Sequence, residues 1–279
     1  MTIILATAWH PRGELDRFLK LLPVLQEAYT GMAISLPPGT EDSFVQQIES
    51  LDSVEVILTP DWSWGRYLAL QRAMQFPGTH VQYADFDRLL RWIETRREEW
   101  QEILQVIQGH DCLIIGRTPD SYQTHPQALV NTEAISNQVI SYLLGQSLDI
   151  SAGSKGFSRQ AGEFILENCE PGYALGTDAE WPLVLKKGGF QVRAIMVEGL
   201  DWESADRYRQ EAADEQSQKD AAAAYDADPQ NWARRVAVAE EIIRLGLETV
   251  DRVIPSIGNQ ENRVSSNLNS SIEGESNFD

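Results

Sequence analysis

The opening run Thr2-Ile3-Ile4-Leu5-Ala6-Thr7-Ala8 limits what this chain can fold into more than any later stretch. Alternate residues of a strand share a face, so a strand without polar alternation has no side left for water. It belongs inside a parallel sheet covered by helices on both faces. The next segments agree. The loop Trp9-His10-Pro11-Arg12-Gly13 leads into Leu15, Phe18, Leu19, Leu22 and Leu25 at helical spacing. Residues 31–36 read as a second strand, stopped by Pro37-Pro38-Gly39, and Phe44, Ile48 and Leu51 mark a helix after it. Residues 54–58 form a third strand closed by Thr59-Pro60-Asp61, and residues 65–76 a third helix. A fourth strand then delivers Tyr83-Ala84-Asp85-Phe86-Asp87. Strand-helix alternation with short loops is the pattern of an open α/β sheet, whose ligands bind outside the carboxyl ends of its strands.

Beyond Asp87 a single helix is expected to about residue 108, with Leu89, Ile93, Trp100, Leu104 and Ile107 as its apolar stripe. Trp92 and Trp100 read as packing residues. Residues 112–118 are a fifth strand and about 126–144 a helix. The segment Leu148 to Arg159 holds Gly153 and Gly156, which suit either an ordinary turn before a helix at 160–168 or a close ligand approach. Gly176-Thr177-Asp178-Ala179-Glu180-Trp181-Pro182 precedes a helix whose end is marked by Gly188-Gly189, and residues 190–197 are a last strand. Residues 201–224 suggest a solvated helix. Asp228-Pro229 starts another, with Trp232, Val236, Ile243, Leu247, Val250 and Ile254 as a stripe that should dock on the main domain or on a second copy. From Pro255 onward the chain is rich in Ser, Asn, Gly and Glu, and disorder is expected. The organisation read from this is a main domain at 1–200, a helical extension at 201–255 and a tail at 256–279.

Charge narrows the partners. Forty-two acidic against 23 basic residues leave a formal charge of −19, which disfavours nucleic acid and anionic membranes. An anionic substrate then needs a local cationic pocket or a metal ion. Cys112 and Cys169 are too few for a disulfide framework or a zinc site. The first residues lack a basic signal-peptide region, and no apolar run approaches the ~20 residues that span a bilayer. A cytoplasmic protein is the expectation.

The chemistry centres on Asp85 and Asp87. Two carboxylates on one face of an extended segment repel each other unless a cation or water sits beside them. A hard divalent cation carrying phosphate oxygens is one answer, and a solvated strand end with Asp87 capping the next helix is the other. Asp178 and Glu180 form a second acidic pair, which either serves catalysis or complements a helix dipole.

The order of these pieces resembles the GT-A glycosyltransferases, the nucleotide-diphospho-sugar transferase fold, nearest its dolichol-phosphate-mannose-synthase-like branch. The residues that carry the likeness are Asp85-Phe86-Asp87, Ile114-Ile115-Gly116-Arg117, Ser151-Ala152-Gly153, Phe157-Ser158-Arg159 and Thr177-Asp178-Ala179-Glu180-Trp181-Pro182-Leu183. The resemblance spans about residues 2–200. It implies a Rossmann-like open mixed sheet and sugar transfer from a nucleoside-diphosphate donor to an unknown acceptor hydroxyl. It also implies Mg²⁺ or Mn²⁺ held by Asp87, with Asp85 reaching the metal or the donor. Thr7, Ala8, His10, Arg12, Asp61 and Arg66 would lie near the donor, and Gly153 and Ser154 on the acceptor side. Asp178, or else Glu180, would be the general base. The third strand ends Thr59-Pro60-Asp61-Trp62-Ser63-Trp64, where the branch carries Asp-Asp-Gly-Ser, and no histidine follows His125 to serve as a further metal ligand. Two other readings use the same fold: a sugar-phosphate nucleotidyltransferase, and a degenerate domain that binds or assembles without catalysis. Self-association through the C-terminal helix is a further expectation.

Overall fold

In the computed structural model, which describes residues 2–257, the opening run is strand β1 (Ile3–Ala8), in the middle of the sheet as its composition requires. It pairs in parallel with β2 (Met32–Leu36) on one side and β4 (His80–Ala84) on the other, and β3 (Val54–Leu58) extends the sheet beyond β2. Strands β5 (Cys112–Arg117), β6 (Ser154–Ser158) and β7 (Val192–Val197) complete the order β3-β2-β1-β4-β6-β5-β7, with β6 antiparallel to both its neighbours. The connecting helices are α1 (Leu15–Ala28), α2 (Asp42–Glu49), α3 (Gly65–Ala73), α4 (Phe86–Thr95), α5 (Arg97–Ile107), α6 (Pro119–Gln123), α7 (Gln127–Leu144), α8 (Arg159–Asn168) and α9 (Thr177–Gly188). Two more, α10 (Glu215–Asp226) and α11 (Pro229–Asp251), follow β7.

The sheet carries a core on each face. Trp9, Phe18, Phe86, Trp92 and Trp100 fill one, beneath α1, α4 and α5. Tyr67, Phe157, Trp181 and Ile242 are part of the other. Phe86 is fully buried, 4.7 Å from Trp9 and 5.0 Å from Phe18 between ring centroids, and so pins the turn from β4 into α4. Asp85 and Asp87 on either side of it are left at the edge of the core.

Five expectations change. The segment that suggested a turn, Ser154-Lys155-Gly156-Phe157-Ser158, is a central strand. Its single large apolar residue hid it, because the buried Lys155 is tolerated through an ion pair with Asp178. The expected long helix after Asp87 breaks at Arg96, whose φ of −144° and ψ of 52° separate α4 from α5. Asp178 sits in the first turn of α9, where a loop was expected. On α11 the buried face runs through Ala239, Ile242, Leu245, Gly246 and Thr249, while Val236, Leu247 and Val250 of the expected stripe are exposed. Counting large aliphatics misled here because close approach selects small residues. A Cβ on Gly246 would lie 2.5 Å from Ile140 of α7. The helix docks on α7 and α9. Among the described residues no helix is long and apolar enough to cross a membrane. Of the tail expected to be disordered, residues 258–279 lie outside the described residues.

A solvated helix was expected over residues 201–224, but only its second half is α-helical, as α10, and residues 198–214 hold no α-helix. They form a strap that returns across the carboxyl ends of the strands. Buried Trp202 anchors it, and Arg91 ties it down through Asp201 and Asp206. Arg17, with no exposed side-chain surface, joins Asp206 to Glu94. Tyr208 donates its backbone N–H to the Arg12 carbonyl at 2.9 Å, closing the strap onto the loop after β1. Breaking one buried ion pair of this kind costs about 3–5 kcal/mol, so the strap is firmly registered.

Candidate active site

A cavity of about 270 Å³ opens at the carboxyl ends of β1 to β4. Ala8 ends β1, Leu36 ends β2, Thr59 follows β3 and Asp85 follows β4, and all four line it. Three guanidinium groups, from Arg12, Arg66 and Arg88, face three carboxylates, from Asp85, Asp87 and Glu203. Formally they balance.

Asp85 is the most constrained of the acids. Arg66 donates to both its oxygens, at 3.1 and 3.0 Å, and the Tyr83 hydroxyl donates at 2.8 Å. The Asp85 N–H donates to the Gly153 carbonyl at 2.9 Å. Gly153 lies in the left-handed region at φ +68°, and a Cβ there would come within 2.2 Å of the Asp85 carboxylate. Only glycine fits both the conformation and the approach.

Asp87 lies one helical step further on, in the first turn of α4, and one of its oxygens accepts from the Arg88 N–H at 3.0 Å. Burial and the neighbouring Glu203 and Asp85 carboxylates push its carboxyl up to about 7. Such a group is poised to exchange its proton for a cation. Glu203 comes from the strap. Arg88 holds it at 3.1 Å, and this partner outweighs the burial that would raise its carboxyl, leaving it below its ordinary value. Sequence reasoning missed Glu203 because it lies in a charged stretch. The usable signal was Trp202 beside it, since a tryptophan among charged residues needs a core to enter.

The other expected site residues divide into those at the cavity and those beneath it. Ala8, His10, Arg12 and Arg66 line it. Burial, helped by Arg12 and Arg207, holds the His10 imidazole below its ordinary value. Thr7 lies under the floor, its hydroxyl donating to the Ala84 carbonyl at 2.6 Å. Asp61 caps the short turn Trp62–Trp64, accepting from the Ser63 N–H at 2.8 Å, and thereby places Trp62 at the cavity mouth. Ser154 is buried in β6, within 3.4 Å of the Gln82 amide.

Asp178 is not among the cavity-lining residues. It is buried below Arg66, which donates to it at 2.8 Å, and it also pairs with Lys155. Burial would raise its carboxyl, but the two cations outweigh that and hold it below its ordinary value. Glu180 points away, toward Arg252 after α11, and burial raises its carboxyl.

A seven-stranded mixed sheet in this order, flanked by helices, is a GT-A fold. Solved structures share this fold. The chain is similar to a crystal structure of a mycobacterial protein, at 14% identity and a TM-score of 0.53, over 92% of this chain and 76% of that one. It is also similar to glucosyl-3-phosphoglycerate synthase from Mycobacterium tuberculosis in complex with Mn²⁺, UDP-glucose and phosphoglyceric acid. There the identity is 13% and the TM-score 0.52, over 92% and 81% of the two chains. The same enzyme with Mn²⁺, UDP and phosphoglyceric acid matches at 13% identity and a TM-score of 0.51 over 92% and 80%. At such identities the likeness shows the fold, and the dolichol-phosphate-mannose-synthase-like branch is not part of what it shows. No protein-family model matches the chain, and no curated protein does.

Proposed function

We propose that this chain is a glycosyltransferase that takes a sugar from a nucleoside-diphosphate donor, with Mg²⁺ or Mn²⁺ bound at Asp87 and assisted by Asp85. The observation that carries the reading is Asp87. It stands beside two other carboxylates, Asp85 and Glu203, in a cavity at the strand ends, an arrangement that suits a site completed by a cation, and burial with those neighbours raises its carboxyl to about 7. The donor set is all oxygen, which matches Mg²⁺ or Mn²⁺. Among the described residues no group of three His, Cys, Asp or Glu could hold a metal unaided. The diphosphate would therefore supply the remaining oxygens, together with water. The donor's diphosphate carries one negative charge on each phosphate, so with a divalent cation it is neutral overall, as is the ring of three arginines and three acids.

As the sugar leaves, charge develops on the diphosphate, and a bound cation would neutralise it. Arg88, held rigid by Glu203, and Arg12, held by the strap, would orient the phosphates. Asp178, read from sequence as the base, is better assigned as the anchor of Arg66, because two cations already occupy its carboxylate. One observation favours the non-catalytic alternative: Arg66 already neutralises Asp85 without any metal. Calorimetry with UDP-, GDP- and ADP-sugars, with Mn²⁺ and with EDTA, separates the two readings. Metal-dependent binding of at least one donor is expected. A folded protein that takes up none of them would sink the enzyme reading.

A further inference from the structure

We propose that the acceptor binds in the groove between Trp62, Tyr173 and α11, and that this acceptor is an uncharged, hydroxyl-rich molecule such as a sugar. The proposal rests on the donor reading above and concerns the half of the site that reading leaves open. The groove has a volume of about 400 Å³ and shares Trp62, Ser63 and Ala174 with the donor cavity. A molecule lying in it would meet the cavity across a wall of those three residues.

The chemistry of its walls selects against anions. Trp62 is 62% exposed, and Tyr173 stands half-buried in the same groove. Open aromatic faces with a polar edge suit the C–H faces and hydroxyls of a sugar ring. Glu240 and Glu241 line the α11 side and accept hydrogen bonds from hydroxyls, whereas a phosphate or carboxylate would be repelled by them. Arg244 is the one cation among the lining residues, and it is paired with Glu248 at 2.8 Å. The lining thus sets two carboxylates against one solvent-exposed guanidinium, which disfavours an acid such as the phosphoglyceric acid bound by the similar synthase.

The wall is also held in an unusual shape. Gly172 and Ala174 both have positive φ, at 106° and 39°. For alanine this conformation costs on the order of 1 kcal/mol or more, and it persists only where surrounding contacts enforce it. Glu241 supplies one such contact, accepting from the Gly176 N–H at 3.2 Å. That leaves Glu240, exposed beside it, as the carboxylate free to meet a ligand.

The test uses the full chain with Mn²⁺ and whichever nucleotide sugar calorimetry shows to bind, measured before any acceptor is added. Glucose, mannose, glycerol and 3-phosphoglycerate are then offered and transfer products quantified. A neutral acceptor should be used with a kcat/KM at least about tenfold above that of 3-phosphoglycerate, and Glu240→Lys should shift that ratio toward the phosphorylated acid by about tenfold. Tyr173→Ala should raise the KM for the neutral acceptor about fivefold, the scale of one lost aromatic contact. Preference of the wild-type chain for 3-phosphoglycerate overturns the proposal, as does an unmoved ratio in Glu240→Lys. Failure of every nucleotide sugar to bind is a different result, seen at the first step, and overturns the donor reading together with this one.

Discussion

Arg66 donates to both carboxylate oxygens of Asp85, so half of the Asp-x-Asp pair is neutralised from within the protein. The same guanidinium reaches Asp178 at 2.8 Å while lying over the Tyr83 ring, 5.3 Å from its centroid. The two acidic sites that stand far apart in the chain are thus one network, running Asp85, Arg66, Asp178, Lys155. Asp87 is outside it and makes no ion pair among the described residues, so burial and the nearby Glu203 and Asp85 carboxylates raise its carboxyl against the charge of Arg88. The pair is asymmetric: Asp85 is positioned and Asp87 is available.

That network predicts what Asp178→Asn will do. Arg66 and Lys155 would lose the charge they share, and removing one partner of a buried pair costs about 3 kcal/mol or more. A fall of roughly 10 °C in the melting temperature is expected for a domain of this size. Donor affinity should weaken with it, because Arg66 lines the cavity. A general base would behave otherwise, abolishing turnover with the melting temperature and donor affinity intact. Thermal denaturation and calorimetry on one protein sample decide between the two.

Asp87 makes stability depend on pH with an unusual sign. Its carboxyl is raised from 3.8 to about 7 in the folded protein. A group raised on folding adds stability below its unfolded value and loses it as pH rises through the folded one. Metal-free protein should therefore lose stability from this group between about pH 4 and pH 7. Asp87→Asn removes the titration. In EDTA the variant should melt higher than wild type at pH 8 and at the same temperature near pH 4. Equal melting temperatures at pH 8 would show that Asp87 is not held protonated.

How much of this was legible follows from what each residue has to satisfy. Strands β1 and β2 could be read because a buried strand between helices is apolar along most of its length, while β3 at the sheet edge, with Glu55 and the exposed Leu58, and β4, with His80 and Gln82, were placed by the strand-helix alternation around them. The turn at Phe86 could be read because an aromatic between two aspartates has only the core to enter. Strand β6 could not, since its position depends on a Lys155–Asp178 pair formed across 23 residues of sequence. Glu203 could not either. It reaches the cavity through a strap whose register is set by Arg17 and Arg91, and ion pairs between residues about 110 to 190 positions apart leave no local pattern. The buried face of α11 was misread for a third reason. Its contact mixes Ile242 and Leu245 with Ala239, Gly246 and Thr249, and the small residues that permit the close approach carry no weight in a stripe drawn from large side chains.

The strap offers a prediction of its own. Arg17→Met keeps the length and apolar stem of the side chain but leaves Glu94 and Asp206 without it. Asp206 retains Arg91, so the strap should loosen without detaching. A destabilisation of about 3 kcal/mol is expected. Amide exchange should rise specifically across residues 198–214, and donor KM should increase as Glu203 loses its fixed place. Unchanged exchange in that segment would mean that the strap does not depend on Arg17.

Gly153→Ala tests whether Asp85 is held by the backbone beneath it. The new methyl would start 2.2 Å from an Asp85 oxygen, at a φ of +68° that disfavours alanine by about 1–2 kcal/mol. Asp85 has no room to yield cheaply, because Arg66 and Tyr83 hold it from the other side. The variant should lose both stability and about tenfold in metal-dependent donor affinity, the equivalent of roughly 1.4 kcal/mol. Gly156→Ala is the matched control. It lies three residues further on, within β6, and its methyl would strike Ile107 at 2.6 Å, on the core side and away from the carboxylates. It should lower the melting temperature with donor affinity retained. If the two variants lose affinity equally, Gly153 acts only through the fold. If Gly153→Ala alone loses it, the glycine is part of what aims Asp85 at its ligand.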